Sequence, residues 1–187
     1  MGVPEKTLIT GEEILEYIPQ RPPVVMVDTF YGIDERGCAR SGLTVTADNL
    51  LVADGVLDEC GIVEHIAQSA ALRAGYMNRT MGRRVQLGYV GAVNDLKVHF
   101  LPPVGSRLVT QNMVEQTVMN VTLLSARTEC DGKPVAGETA AEQTPPPAED
   151  GEFIEVDLSR PEGRVVIGRS GLVELERPAV RDAVPAE

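Results

Sequence analysis

Asp58-Glu59-Cys60-Gly61-Ile62-Val63-Glu64-His65-Ile66-Ala67-Gln68-Ser69-Ala70-Ala71-Leu72-Arg73-Ala74-Gly75 is the most informative run of this sequence. Asp58 is a natural N-cap, and Glu59 places negative charge in the first turn, where the helix dipole favours it. The spacing predicts a helix from about Glu59 to Met81. Its interior is rich in small residues (Gly61, Ala67, Ala70, Ala71, Ala74, Gly75), while Ile62, Val63, Ile66 and Leu72 add bulk. Small residues let neighbouring backbone come close. A long helix with apolar residues on several faces is wrapped by other structure.

Working outward to the N-terminus, Thr10-Gly11-Glu12-Glu13 reads as a capping box ahead of a short helix carrying Ile14, Leu15 and Ile18, which Pro19 ends. Arg21-Pro22-Pro23 is an extended connector. Val24 to Phe30 reads as a buried strand, Glu35-Arg36-Gly37 as a turn, and Cys38 to Thr46 as the second arm of a hairpin. Asp48 to Gly55 is a loop. Beyond the helix the pattern turns to strands: Val85 to Val93, with Gly88 and Gly91 marking bulges or close approach, then Asp95 to Leu101. Pro102-Pro103-Val104-Gly105 turns the chain into Ser106 to Gln116 and Val118 to Glu129. Asp131-Gly132 is a hairpin turn leading into Pro134 to Glu142. The economical solution is an α+β domain over residues 1–144, one long central helix embraced by a curved antiparallel sheet. Residues 145–187 open on Pro145-Pro146-Pro147 and are acidic and Pro-rich. They are expected to be a partly disordered or surface-packed tail, with marginal strands at Val165 to Ile167 and Leu172 to Leu175.

The chain has 187 residues, enough for one domain with a real core. Its formal net charge of −11 argues against a nucleic-acid partner and an anionic membrane surface. Five arginines (Arg21, Arg73, Arg79, Arg83, Arg84) could form a basic patch for an acidic carrier protein, although a charge cluster alone names no partner. Cys38, Cys60 and Cys130 are odd in number and widely spaced, which suits a reducing compartment. No apolar run suggests a signal peptide or a membrane span, so a cytoplasmic location is expected. Two scattered histidines, no phosphate-binding loop and no Gly-x-Ser-x-Gly elbow leave no metal or cofactor expected.

Glu64 is the residue most suited to chemistry. A carboxylate on a wrapped helix is costly unless paired or put to use, and it is then a candidate general acid or base. Gln68 follows one turn later on the same face, placed to hydrogen-bond the carboxylate or a bound water. The plainer reading of Glu64 is a surface residue on an exposed stripe. His65 points about 100° away from Glu64 around the helix and so reads as a capped or interface histidine. His99, between inward-facing Val98 and Phe100, reads as a surface residue.

These residues carry a family resemblance. Leu15-x-x-Ile18-Pro19-Gln20-Arg21-Pro22-Pro23-Val24-Val25-Met26-Val27-Asp28 resembles the opening segment of the FabZ-type 3-hydroxyacyl-carrier-protein dehydratases. Gly61-Ile62-Val63-Glu64-His65-Ile66-Ala67-Gln68-Ser69-Ala70 is similar to that family's central-helix motif. Gly91-Ala92-Val93-Asn94-Asp95-Leu96-Lys97-Val98, with Pro102-Pro103-Val104-Gly105, is similar to its third block. Together the blocks span residues 12 to about 142. The resemblance implies a dimeric hot-dog fold with acyl tunnels near the subunit interface. It implies Glu64 as the catalytic carboxylate, Gln68 as its support, and Gln20, Glu59, Cys60, Gly88 and Gly91 beside the substrate. The implied partners are an acyl-carrier-protein or coenzyme A thioester and a second hot-dog subunit, identical or not. One departure stands out. The family's catalytic histidine lies in a Gly-His-Phe-Pro-Gly loop before the helix, and here Asp48-Asn49-Leu50-Leu51-Val52-Ala53-Asp54-Gly55 has no histidine. The family's Pro-Gly at the helix start corresponds to Asp58-Glu59. In these respects the chain resembles divergent dehydratase-like proteins of aryl-polyene and related polyketide or lipid clusters.

Four functions follow as expectations. The first is a divergent dehydratase using Glu64, with Gln20 or a residue from a partner subunit. The second is a non-catalytic acyl-binding subunit that pairs with an active dehydratase. The third is a hot-dog thioesterase in which Glu64 activates water. The last is a hot-dog dimer without an acyl ligand.

Overall fold

The computed structural model describes residues 6–143 and, further on, the strands at 154–156, 164–167 and 173–176. The chain divides into two compact units, Met1–Pro145 and Pro146–Glu187. In the first, a seven-stranded antiparallel sheet is built from β1 (Ile9–Thr10), β2 (Thr29–Ile33), β3 (Ala39–Thr44), β6 (Tyr89–Val98), β7 (Arg107–Val118), β8 (Val121–Cys130) and β9 (Lys133–Gln143). Its spatial order is β1-β2-β3-β7-β8-β9-β6. A small hairpin, β4 (Val52–Ala53) with β5 (Val56–Leu57), precedes the one long helix, α1 (Glu59–Thr80). This is the α+β hot-dog architecture.

The helix starts where the sequence places it. The Asp58 side chain accepts a 2.7 Å hydrogen bond from the Gly61 N–H, satisfying one of the orphan donors of the first turn. Ile62, Ile66 and Ala70 then bury against Leu43, Val45, Leu108, Leu124, Ala126 and Val135 of the sheet. On the flank next to β2, Leu72 joins Ile14, Ile18, Val27, Phe30 and Ala39 in a second buried cluster. Gly75 is required by packing, because a Cβ there would collide with the Tyr17 carbonyl.

Several sequence expectations give way to long-range contacts. The segment Gly11–Glu16 is a 3-10 turn, and Thr10 makes no side-chain cap. Gly11 has φ +61°, so the chain enters the turn in a conformation that a capping box does not use. Ile14 and Ile18 still bury as expected. The strand read over Val24 to Phe30 begins only at Thr29, because helix side chains take the backbone groups of Val24 and Met26. The two strands read over 85–101 are one, Tyr89–Val98, with register irregularities at Val90/Ala92 and Asn94/Lys97. The first of these sits at Gly91, where a bulge is expected. The Asp131-Gly132 turn forms, with φ of 50° and 79°, as a type I′ hairpin demands. In the second unit β10 (Ile154–Val156), β11 (Arg164–Ile167) and β12 (Val173–Glu176) form an antiparallel three-stranded sheet. β10 has no counterpart in the sequence reading, and the rest of the tail lies outside the described residues.

Candidate active site

Glu64 and Gln68 are joined. Gln68 Nε2 donates to Glu64 Oε1 at 2.7 Å and to the Val24 carbonyl at 2.6 Å. Gln68 Oε1 accepts the Met26 N–H at 2.6 Å. Both donor positions and the acceptor are therefore in use, which fixes the amide orientation. Gln68 is fully buried, whereas Glu64 is half-buried. The expectation of a buried carboxylate thus holds for the partner amide rather than for Glu64. One carboxylate oxygen is held by the protein, and Oε2 has no hydrogen-bond partner among the described residues.

His65 grips the same segment, a strap of residues 24–26 across the helix, from a neighbouring position. Its Nδ1 lies 2.7 Å from the Met26 carbonyl. A carbonyl only accepts, so Nδ1 carries the proton and Nε2 is the bare nitrogen. Nε2 is buried without a partner among the described residues. Burial is the main cause that pushes the His65 pKa down, to about 4. The Met26 hydrogen bond and Asp28 oppose that shift, and Arg107 adds to it. His65 is accordingly a neutral structural clamp near pH 7, and the pair it forms with Gln68 holds residues 24–26 against the helix. Sequence reasoning assigned it no such role, since nothing local indicates which segment crosses the helix.

The helix N-terminus supplies a second feature. The Gly61 N–H goes to the Asp58 side chain and the Ile62 N–H to the Asp58 carbonyl. The N–H groups of Glu59 and Cys60 have no acceptor among the described residues, and both residues are exposed. Cys60 lies four residues before Glu64, on the same side of the helix. The loop that lacks a histidine is well built. Asn49 Oδ1 caps the Leu51 N–H at 2.9 Å, Asn49 Nδ2 reaches Met26 Sδ at 3.2 Å, and Leu51 receives the Asp58 N–H.

The remaining candidates scatter. Gln20 is half-buried with Oε1 unpartnered, Gly88 precedes β6, and Gly91 sits in its bulge. None of them hydrogen-bonds Glu64. Of the arginines, Arg79 is bound to Glu16 at 2.8 Å and lies over the Tyr17 ring, and Arg21 binds the Ile18 and Gln20 carbonyls. Arg83 and Arg84 are exposed. His99 is exposed, as its alternation predicts. All three thiols are free. Among the described residues no group of three His, Cys, Asp or Glu is placed to hold a metal ion, and no helix is long and apolar enough to cross a membrane.

The family model for ApeP-like dehydratases (ApeP dehydratase) matches residues 12–134, more than half of the chain. The chain belongs to the ApeP-like dehydratase family. The match spans the strap, the His-free loop, the whole of α1 and the sheet from β2 to the start of β9. Among solved structures the ApeP-like chain is similar to the dehydratase heterocomplex ApeI:P from Xenorhabdus doucetiae. The TM-score is 0.66 at 16% identity, over 71% of this chain and 91% of that one. It is similar to the uncharacterized protein PH1136 from Pyrococcus horikoshii, at TM-score 0.52 and 12% identity over 74% and 95%. It is also similar to a hypothetical thioesterase with coenzyme A from Streptococcus pneumoniae TIGR4, at TM-score 0.50 and 9% identity over 62% and 84%. At these identities the likeness is one of fold. No curated protein matches the sequence.

Proposed function

We propose that this ApeP-like chain dehydrates a 3-hydroxyacyl thioester, carried on an acyl carrier protein or coenzyme A, as one subunit of a hot-dog dimer. The setting would be fatty-acid, polyketide or aryl-polyene-type biosynthesis in a reducing cytoplasm, to which three free thiols are suited. The observation that carries the reading is the Glu64–Gln68 pair: a carboxylate held at Oε1 by a buried, fully committed amide, with Oε2 open.

In the elimination a base removes the proton on C2, the C2–H electrons form the C2=C3 bond, the C3–O bond breaks, and the hydroxyl leaves with a proton as water. Glu64 Oε2 takes the C2 proton or delivers the one that departs with the hydroxyl. The N–H groups of Glu59 and Cys60 are suited to the thioester oxygen, where negative charge builds as the proton leaves. No second acid or base bonds to Glu64 among the described residues, so we assign that role to a partner subunit. Two features support a partner. β6 is one edge of the seven-stranded sheet, with one side unpaired among the described residues and Tyr89, Val90 and Val93 exposed. A fold-level neighbour is a dehydratase heterocomplex.

The missing second group also favours an alternative, a non-catalytic acyl-binding subunit. The test is to incubate the full-length chain, alone and with a histidine-bearing hot-dog subunit, with a 3-hydroxyacyl-carrier-protein substrate and follow product mass. Loss of water that Glu64→Gln abolishes supports the dehydratase. Water loss untouched by Glu64→Gln supports the binding subunit, and release of free acid indicates a thioesterase.

A further inference from the structure

The strap that holds Gln68 is itself pinned to the other face of the sheet. Two residues after Met26, Asp28 donates its N–H to the Gly42 carbonyl at 2.9 Å. Its carboxylate accepts from the Thr44 N–H at 2.7 Å and from the Thr29 hydroxyl at 2.8 Å. Arg107 Nη1 lies 2.8 Å from each of its oxygens. Nη1 also donates to Thr44 Oγ1 at 2.6 Å, and Nη2 donates to Thr29 Oγ1 at 2.6 Å and to the Tyr31 hydroxyl at 3.1 Å. Ser41 and Leu43 of β3 are buried, so by alternation Gly42 and Thr44 lie on the face away from α1. Gly42 stands opposite Thr29, and Thr44 opposite Arg107. The guanidinium covers Gly42 on that outer face, where a Cβ would overlap Nη2.

This differs from a lone surface ion pair, which contributes little. One planar guanidinium on β7 is held by acceptors on β2, on β3 and on the end of the strap, so it cannot turn without breaking several charge-assisted bonds. The strap has no slack between its two anchors. Met26 gives its N–H to Gln68 and its carbonyl to His65, and only the buried Val27 separates it from Asp28. Consecutive Cα atoms are fixed at ~3.8 Å by planar peptides, so a displacement of Asp28 passes on to Met26.

We propose that Arg107 is a positioning residue for Glu64. Arg107 holds Asp28, Asp28 fixes Met26, Met26 and Val24 fix the Gln68 amide, and Gln68 fixes Glu64 Oε1. Arg107 itself touches no substrate, because it lies on the opposite face of the sheet from α1. The consequence for turnover rests on the dehydratase reading, whereas the mechanical link does not. A carboxylate released by Gln68 turns about its own side-chain bonds, and a misplacement of ~1 Å caused from a distance costs up to ~10²-fold in rate.

Arg107→Met tests this in the full-length chain, with kinetics in the dehydration assay above and amide hydrogen exchange on the protein itself. kcat should fall about tenfold or more while KM changes less than about twofold, since the substrate loses no contact. The Met26 N–H should exchange about tenfold faster relative to the Leu124 N–H of β8, whereas a global loss of stability speeds both alike. In a Gln68→Met background, Arg107→Met should lower kcat by less than about twofold more, because the link is already cut. Arg107→Lys should not restore kcat, since an ammonium lacks the planar fork that bridges Asp28, Thr29 and Thr44. Gly42→Ala pushes Nη2 from beneath and leaves both charges in place. It should give the same pattern, and it decides the matter if Arg107→Met does not fold. The proposal is overturned by a native Met26 exchange ratio, by a native kcat, or by losses that multiply in the double variant. If the exchange ratio rises but the native protein itself removes no water from the substrate, the dehydratase reading fails and the link from Arg107 to the strap stands.

Discussion

Acid should unfold this protein partly through one histidine. His65 is fully buried, and its pKa falls from 6.5 to about 4, chiefly because burial penalises the charged form. The unfolded chain binds the proton near pH 6.5, whereas the folded chain resists it until about pH 4. Between those values the unfolded state holds more protons, so stability falls as pH falls. The contribution is fully present above pH 6.5 and fully lost below pH 4, and its total is about 3 kcal/mol at ~1.4 kcal/mol per pH unit. From pH 7 to 4.5 the loss is about 2 kcal/mol. Carboxylates also titrate below pH 5, so the measurement is a difference. His65→Asn keeps a donor where Nδ1 sits and removes the titration. Urea unfolding of both proteins at a series of pH values gives the two acid slopes. The variant should start less stable, from lost volume, yet lose about 2 kcal/mol less on acidification. Equal losses in the two proteins would show that His65 is already protonated in the fold, or that Met26 does not hold it, and the tautomer assigned above would be wrong.

Three further outcomes follow from the same contacts. Gln68→Met strands the Met26 N–H and the Val24 carbonyl and frees Glu64, so a loss of about 2–4 kcal/mol in denaturant unfolding should accompany a turnover drop of about tenfold or more. Gly75→Ala drives a methyl group into the Tyr17 carbonyl, a backbone group that cannot swing aside, and its calorimetric melting point should fall by an amount equivalent to about 2 kcal/mol or more. Asp58→Ala removes the cap on Gly61 and should destabilise by about 1 kcal/mol, while Asp58→Asn recovers most of it in the same chemical denaturation assay.

Local chemistry was legible and long-range pairing was not. The Asp58 cap, the Asp131-Gly132 turn and the Gly91 bulge each depend on a few neighbouring residues, and each stands where the sequence places it. Glu64 and Gln68 could be paired from their spacing alone, since i and i+4 share a face. Val24 to Asp28 failed as a strand because β propensity says nothing about competing partners. Its backbone groups are claimed by Gln68 and His65, about forty positions away. Thr10 failed as a cap for a related reason: the motif was present, but Gly11 at positive φ turns the chain another way.

The unequal treatment of the two flanks of α1 is what gives the site its direction. On one flank His65, Gln68 and Leu72 are fully buried, and the Gln68 amide bonds Val24 and Met26 of the strap as well as Glu64. On the other flank Val63, Ala67, Ala71 and Ala74 are only half-covered. Glu64 sits on the border, tied to the rigid flank through Oε1, while Oε2 has no hydrogen-bond partner among the described residues. Because Glu64 is only half-buried, its second oxygen can stay solvated while the first is held. Here the protein fixes one oxygen and stops. That arrangement keeps one carboxylate oxygen available, as the proposed elimination needs, and under that proposal the open flank is filled by substrate, by a second subunit, or by both.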